Sequence, residues 1–97
     1  MDNKYSYGFW VWTKDLEKLI SNIASLENIS LDSNQFELIK YNLVGSNDEL
    51  DRWHEIQFGN ISIQLAYDQE EQNDMTHLKF KTKQGLLEKI KELEKSI

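Results

Sequence analysis

The chain has 97 residues, a formal net charge of −6, three Trp, four Tyr, four Phe, and neither Cys nor Pro. That length supports one domain with one core. The composition excludes disulfides, thiolate nucleophiles, Cys-bound zinc and proline-rich ligand motifs, and the acidic balance opposes direct nucleic-acid binding, which needs local Lys and Arg to displace counterions.

Residues 1–4 read as a frayed end. Tyr5 to Trp12 is aromatic, partly β-branched and free of strong helix formers, so it reads as a strand. Tyr5, Tyr7, Phe9 and Val11 fall on one side, and Ser6, Gly8, Trp10 and Trp12 on the other. Bulk on both sides predicts an internal strand whose second face is covered or lines a pocket. Gly8 leaves a gap there, either for close backbone packing or for a ligand. Thr13 is a candidate N-cap, followed by Asp15 in the first helical turn. Leu16, Leu19, Ile20, Ile23 and Leu26 recur at helical spacing up to about Glu27.

Asn28 to Asn34 is a polar connection. Phe36 to Val44 carries apolar residues in a mixed pattern, and its β-rich neighbourhood predicts a strand with a bulge near Leu38 and Ile39. After the polar loop Gly45 to Asp51, the stretch Trp53 to Tyr67 holds two alternating runs about Gly59-Asn60, a hairpin signature. A two-residue loop places Phe58 opposite Ile61, Ile56 opposite Ile63, and His54 opposite Leu65. The apolar residues then share one face, and a slip of one residue mixes the faces. Asp68 to Asp74 reads as an acidic turn. Met75 to Lys81 reads as a strand with Thr76, Leu78 and Phe80 inward and His77, Lys79 and Lys81 outward. Thr82 is a candidate cap for a last helix with the stripe Leu86, Ile90, Leu93 and Ile97. The whole is an α+β single domain in the order β-α-β-β-β-β-α, a mostly antiparallel sheet with two helices packed on one face.

Motifs for chemistry are absent. The four glycines are isolated, so no phosphate loop exists. Asp48, Glu49 and Asp51 lack the spacing and terminal Glu of a calcium loop. No nucleophile turn or Ser-His-Asp order is recognisable. His54 and His77 are the only histidines. No cofactor is expected. Met1 to Trp10 lacks the pattern of a secretion signal and no apolar run nears the roughly 20 residues of a membrane span, so a cytoplasmic location without membrane attachment is expected.

Two segments echo each other. Tyr7 to Leu19 and Thr76 to Ile90 both run from a strand through Thr-Lys into a Leu-Glu-Lys helix start. With Gly8 to Ile20, Ile61 to Tyr67 and His77 to Leu93 as the matching stretches, the chain resembles one and a fraction modules of the vicinal oxygen chelate superfamily, the glyoxalase and bleomycin-resistance fold. The resemblance implies metal ligands at His77 and Gln64. Gly8 stands at the other ligand position, and the strand for the remaining ligand lies beyond the chain.

Charge is unevenly spread. Asp48, Glu49, Asp51, Glu55, Asp68, Glu70, Glu71 and Asp74 face one base, Arg52, over that stretch, whereas the last 19 residues are net basic. The leading expectation is a non-enzymatic binding module, a small acidic protein of inhibitor, immunity or antagonist type. Those eight acids with Trp10, Trp12 and Trp53 would meet a protein partner with a basic surface. The alternative is a small-ligand or metal-binding protein of the chelate fold, completed by homodimerisation.

Overall fold

The computed structural model describes residues 7–47, 49–70 and 73–96, apart from the side chains of Gln69, Glu70 and Asn73. It is one α+β domain. The elements are β1 (Tyr7–Trp12), a 3-10 turn (Thr13–Asp15), α1 (Leu16–Ser25), α2 (Ser33–Val44), β2 (His54–Phe58), β3 (Ile61–Glu70), β4 (Asn73–Lys81) and α3 (Gln84–Lys95). The four strands form one antiparallel sheet in the order β1-β4-β3-β2.

The hairpin register is the one the alternation predicts: Phe58 pairs with Ile61, Ile56 with Ile63 and His54 with Leu65. Gly59 takes a φ of 59° at the turn, a left-handed conformation that suits glycine. The turn is fastened from two sides. The Glu27 carboxylate accepts the Asn60 backbone N–H at 2.6 Å, and the Thr82 hydroxyl donates to the Asn60 carbonyl at 3.0 Å.

One face of the sheet is the core. Phe9 and Val11 of β1, Leu78 and Phe80 of β4, Ile61, Ile63 and Leu65 of β3, and Phe58 of β2 are all buried there. Leu16, Leu19, Ile20 and Ile23 of α1 and Ile90 of α3 join the same cluster. The stacked rings of Phe9 and Phe80, 5.3 Å apart, sit in it. Thr76, also buried, meets Thr13 hydroxyl to hydroxyl at 3.0 Å, which satisfies a polar group that would otherwise be costly to bury.

Four expectations are corrected. Phe36 to Val44 is helix α2, not a strand, so three helices rather than two cover the core face. Phe36, Ile39 and Leu43 are buried, but Leu38, Tyr41 and Val44 point to solvent. Apolar residues on both sides blur helical periodicity and imitate alternation. The Asp32 carboxylate accepts the Gln35 N–H while the Gln35 side chain accepts the Asp32 N–H, a complete capping box that starts this helix.

Strand β1 is an edge, not internal. The bulk on its second face stays exposed instead of entering a second core. Neither Thr13 nor Thr82 caps a helix. Thr13 opens the 3-10 turn and bonds Thr76, and Thr82 bonds the hairpin turn. Finally, the acidic connection is shorter than the composition suggests, because β3 and β4 continue to Glu70 and from Asn73. Strand β4 with α3 lies in the same sheet and core as β1 with α1, so the two echoing segments are direct antiparallel neighbours. Met1 to Ser6 and Ile97 lie outside the described residues.

Candidate functional site

Among the described residues no helix covers the second face of the sheet, and the register sorts its side chains into rows. Trp12, Met75 and Asp68 form the first row, and Trp10, His77 and Ala66 the second. Gly8, Lys79, Gln64 and Glu55 form the third, and Lys81, Ser62 and Gln57 the fourth.

Aromatic contacts organise the middle rows. The Trp10 and His77 rings stack at 4.3 Å with 15° between their planes. Trp53 approaches His77 from the other side at 5.3 Å. The Lys79 ammonium lies 4.3 Å from the centre of the Trp53 ring, a cation–π geometry that holds both side chains. Trp53 enters from the β2 side, so reaching two β4 residues means crossing β3. That crossing accounts for Ala66, which is 1 % exposed on a face with no helix over it. Trp10 and Trp12 stay 42 % and 46 % exposed. Indole rings left this open on a rigid antiparallel ladder are pre-ordered contact area.

Gly8 is explained by packing. A Cβ on it would stand 2.7 Å from the Leu78 carbonyl oxygen. The gap predicted there lets β1 and β4 approach, and no ligand space opens.

The acids are divided. Glu55 and Asp68 share the open face with the tryptophans. Glu70 ends β3, one step past that face's first row. Glu49 and Asp51 are exposed in the turn closed by the Asn47 and Arg52 bridge. That turn is held to the sheet by Ser46, whose buried hydroxyl donates to the Leu43 carbonyl at 2.6 Å and accepts the Tyr67 N–H at 2.8 Å. Ser46 therefore joins the end of α2 to β3 beside Asp68, at the Trp12 end of the sheet. Asp74 is on the opposite, helix-bearing side and accepts the Tyr67 phenol. That bond pushes the Tyr67 hydroxyl up to about 12. Tyr7 is raised to about 12 in the same way by donating to Glu94. Asp48 and Glu71 lie outside the described residues.

The two histidines differ. His77 is built into the aromatic row. His54 is half-buried at the mouth of the hairpin's apolar side, where desolvation lowers its pKa below the usual 6.5. His77 and Gln64 share a face but belong to different rows. Among the described residues no three His, Cys, Asp or Glu side chains group as a metal site would need. Nor is any helix among them long and apolar enough to cross a membrane.

The outward placement of His77, Lys79 and Lys81 holds, but the sequence analysis does not single out Met75 or Ser46 as parts of this face and its support. Met75 carried a legible signal, since it alternates with the inward Thr76, Leu78 and Phe80. Ser46 carried none, because its role depends on where α2 ends. No protein-family model, curated protein or solved structure matches the chain.

Proposed function

We propose that this chain is a non-enzymatic protein-binding module that takes a basic partner on the open face of its sheet. The reading rests on one observation: Trp10 and Trp12 stand 42 % and 46 % exposed on the ladder, with Asp68 in the same row as Trp12. Aromatic anchors beside acids suit a partner that presents Lys or Arg among apolar residues, because such groups gain both ring contact and charge complementarity. Lys79 weakens that complementarity little, since its ammonium already lies over Trp53, and Lys81 stands in the fourth row, at the far end from Trp12 and Asp68. The net charge of −6 adds long-range attraction to the same class of partner. An inhibitor, immunity or antagonist role is the form of binding module that fits a small acidic domain without a catalytic set.

The test is affinity capture with three proteins in parallel: the wild type, Trp10→Ala/Trp12→Ala, and Asp68→Lys. A basic protein retained by the wild type, lost with either variant and released by moderate salt supports the reading. Empty capture across salt conditions, or capture indifferent to both variants, would overturn it.

A further inference from the structure

The core-side helix layer carries a second apolar surface that the binding face does not use. Leu38, Tyr41 and Val44 recur every three residues along α2 and are 63 %, 79 % and 74 % exposed. A helix that buries Phe36, Ile39 and Leu43 on one side has no folding need for apolar residues on the other. Together the three residues expose on the order of 500 Å², comparable to the largest apolar patch of a typical monomer, which is often functional.

We propose that this stripe is the contact of a homodimer, in which α2 of one copy packs antiparallel against α2 of a second copy. Two features select a second copy over another occupant. First, the stripe is symmetric about Tyr41: Leu38 lies three residues before it and Val44 three after. A two-fold axis through Tyr41 sets Leu38 against the partner's Val44 and Tyr41 against the partner's Tyr41, the self-complementarity an isologous interface requires. Second, two copies of a chain at −6 repel each other except where the local surface is neutral. Helix α2 is such a place. Its only charges, Glu37 and Lys40, cancel and lie 3.6 Å apart.

The area is adequate for the centre of a modest dimer. A standard interface buries about 800 Å² per partner, with an apolar middle and a polar rim. The stripe supplies the middle, and the exposed side chains of Asn34, Glu37, Lys40 and Asn42 border it. Because α2 packs on the core side of the sheet, pairing through its outer stripe leaves the Trp10 face outward, although Lys40 at the border shares a cavity with Trp12 at the sheet's end. The dimer presents two equivalent binding faces.

The experiment is sedimentation equilibrium of the full chain from micromolar to submillimolar concentration, with Tyr41→Glu, Val44→Lys and Trp10→Ala in parallel. Tyr41 and Val44 are largely exposed and Trp10 is partly so, and circular-dichroism melts verify that each of the three variants stays folded. The expected result is a concentration-dependent dimer that Tyr41→Glu and Val44→Lys each weaken about tenfold or more and that Trp10→Ala leaves intact. A second measurement uses the absence of native Cys. Air oxidation of Tyr41→Cys gives a covalent dimer, whereas Glu17→Cys, exposed on α1, stays monomeric. A wild type that sediments as a monomer throughout overturns the proposal. So does a dimer that survives both α2 variants and dissociates with Trp10→Ala.

Discussion

At the residue scale, a few positions tie sequence to geometry tightly enough to predict a cost. Gly8→Ala forces a Cβ to within 2.7 Å of the Leu78 carbonyl, which is backbone and cannot swing aside. We expect a loss of about 1–3 kcal/mol by urea denaturation, the range for overpacking. Gly59→Ala meets a flexible side chain, Glu27, and an unfavourable φ of 59°. Its expected cost is about 1–2 kcal/mol for the left-handed conformation.

Titration gives a second residue-scale prediction. Tyr7 and Tyr67 hold their protons more tightly when folded, with pKa values near 12 against the usual 10. The folded state therefore binds more protons than the unfolded state between those two values. The stabilisation from both phenols is complete below pH 10 and lost as pH rises through about 12. Chemical denaturation across that window should show falling stability, and Tyr7→Phe/Tyr67→Phe should flatten the fall. His54 acts at the other end. Its folded pKa lies below 6.5, so its contribution is present above that value and declines as pH falls through the depressed pKa.

At the element scale, α2 shows how a local signal outranks a misleading pattern. The capping box of Asp32 and Gln35 satisfies two N–H groups at its first turn. Asp32→Ala should cost about 1 kcal/mol and lower Tm by roughly 4–8 °C, measured by circular dichroism. The same substitution would change nothing if Phe36 to Val44 were a strand. Helix α3 is equally integral. Leu87 and Ile90 are buried, and Glu88 with Lys91 and Glu92 with Lys95 brace its exposed side. Removing it opens the apolar side of β1 and β4. A chain ended after Lys83 should not fold, and a soluble fragment with a cooperative melt would contradict this packing.

At the scale of the whole molecule, the two sides of the sheet differ. The covered side holds the core, and the open side is the one to which the proposed binding role is assigned. The proposed binding role predicts that Trp10→Ala/Trp12→Ala removes partner capture while the chain still melts cooperatively, with Tm lowered by the roughly 4–8 °C that losing the Trp10 stack on His77, about 1 kcal/mol, brings. Association should also slow as salt rises, because screening at physiological ionic strength acts beyond about 8 Å. A capture rate independent of salt would place the attraction elsewhere than in the acidic charge.

The sequence by itself determined what depends on neighbours along the chain. Alternation about Gly59-Asn60 set the hairpin and its register, spacing set α1 and α3, and alternation in β4 assigned its two faces. These are local periodicities, and local sterics and one-sided burial read them out directly. Tertiary structure alone decided the rest. Whether β1 was central or an edge depended on which strand β4 paired with. Whether Trp10 and Trp12 were core or surface depended on all helices packing on the other side. Whether Phe36 to Val44 coiled or extended depended on a cap four residues upstream and on an outward stripe that mimicked alternation. Each turns on contacts between segments far apart in the chain, and a residue's own type and spacing do not encode which surface finally covers it.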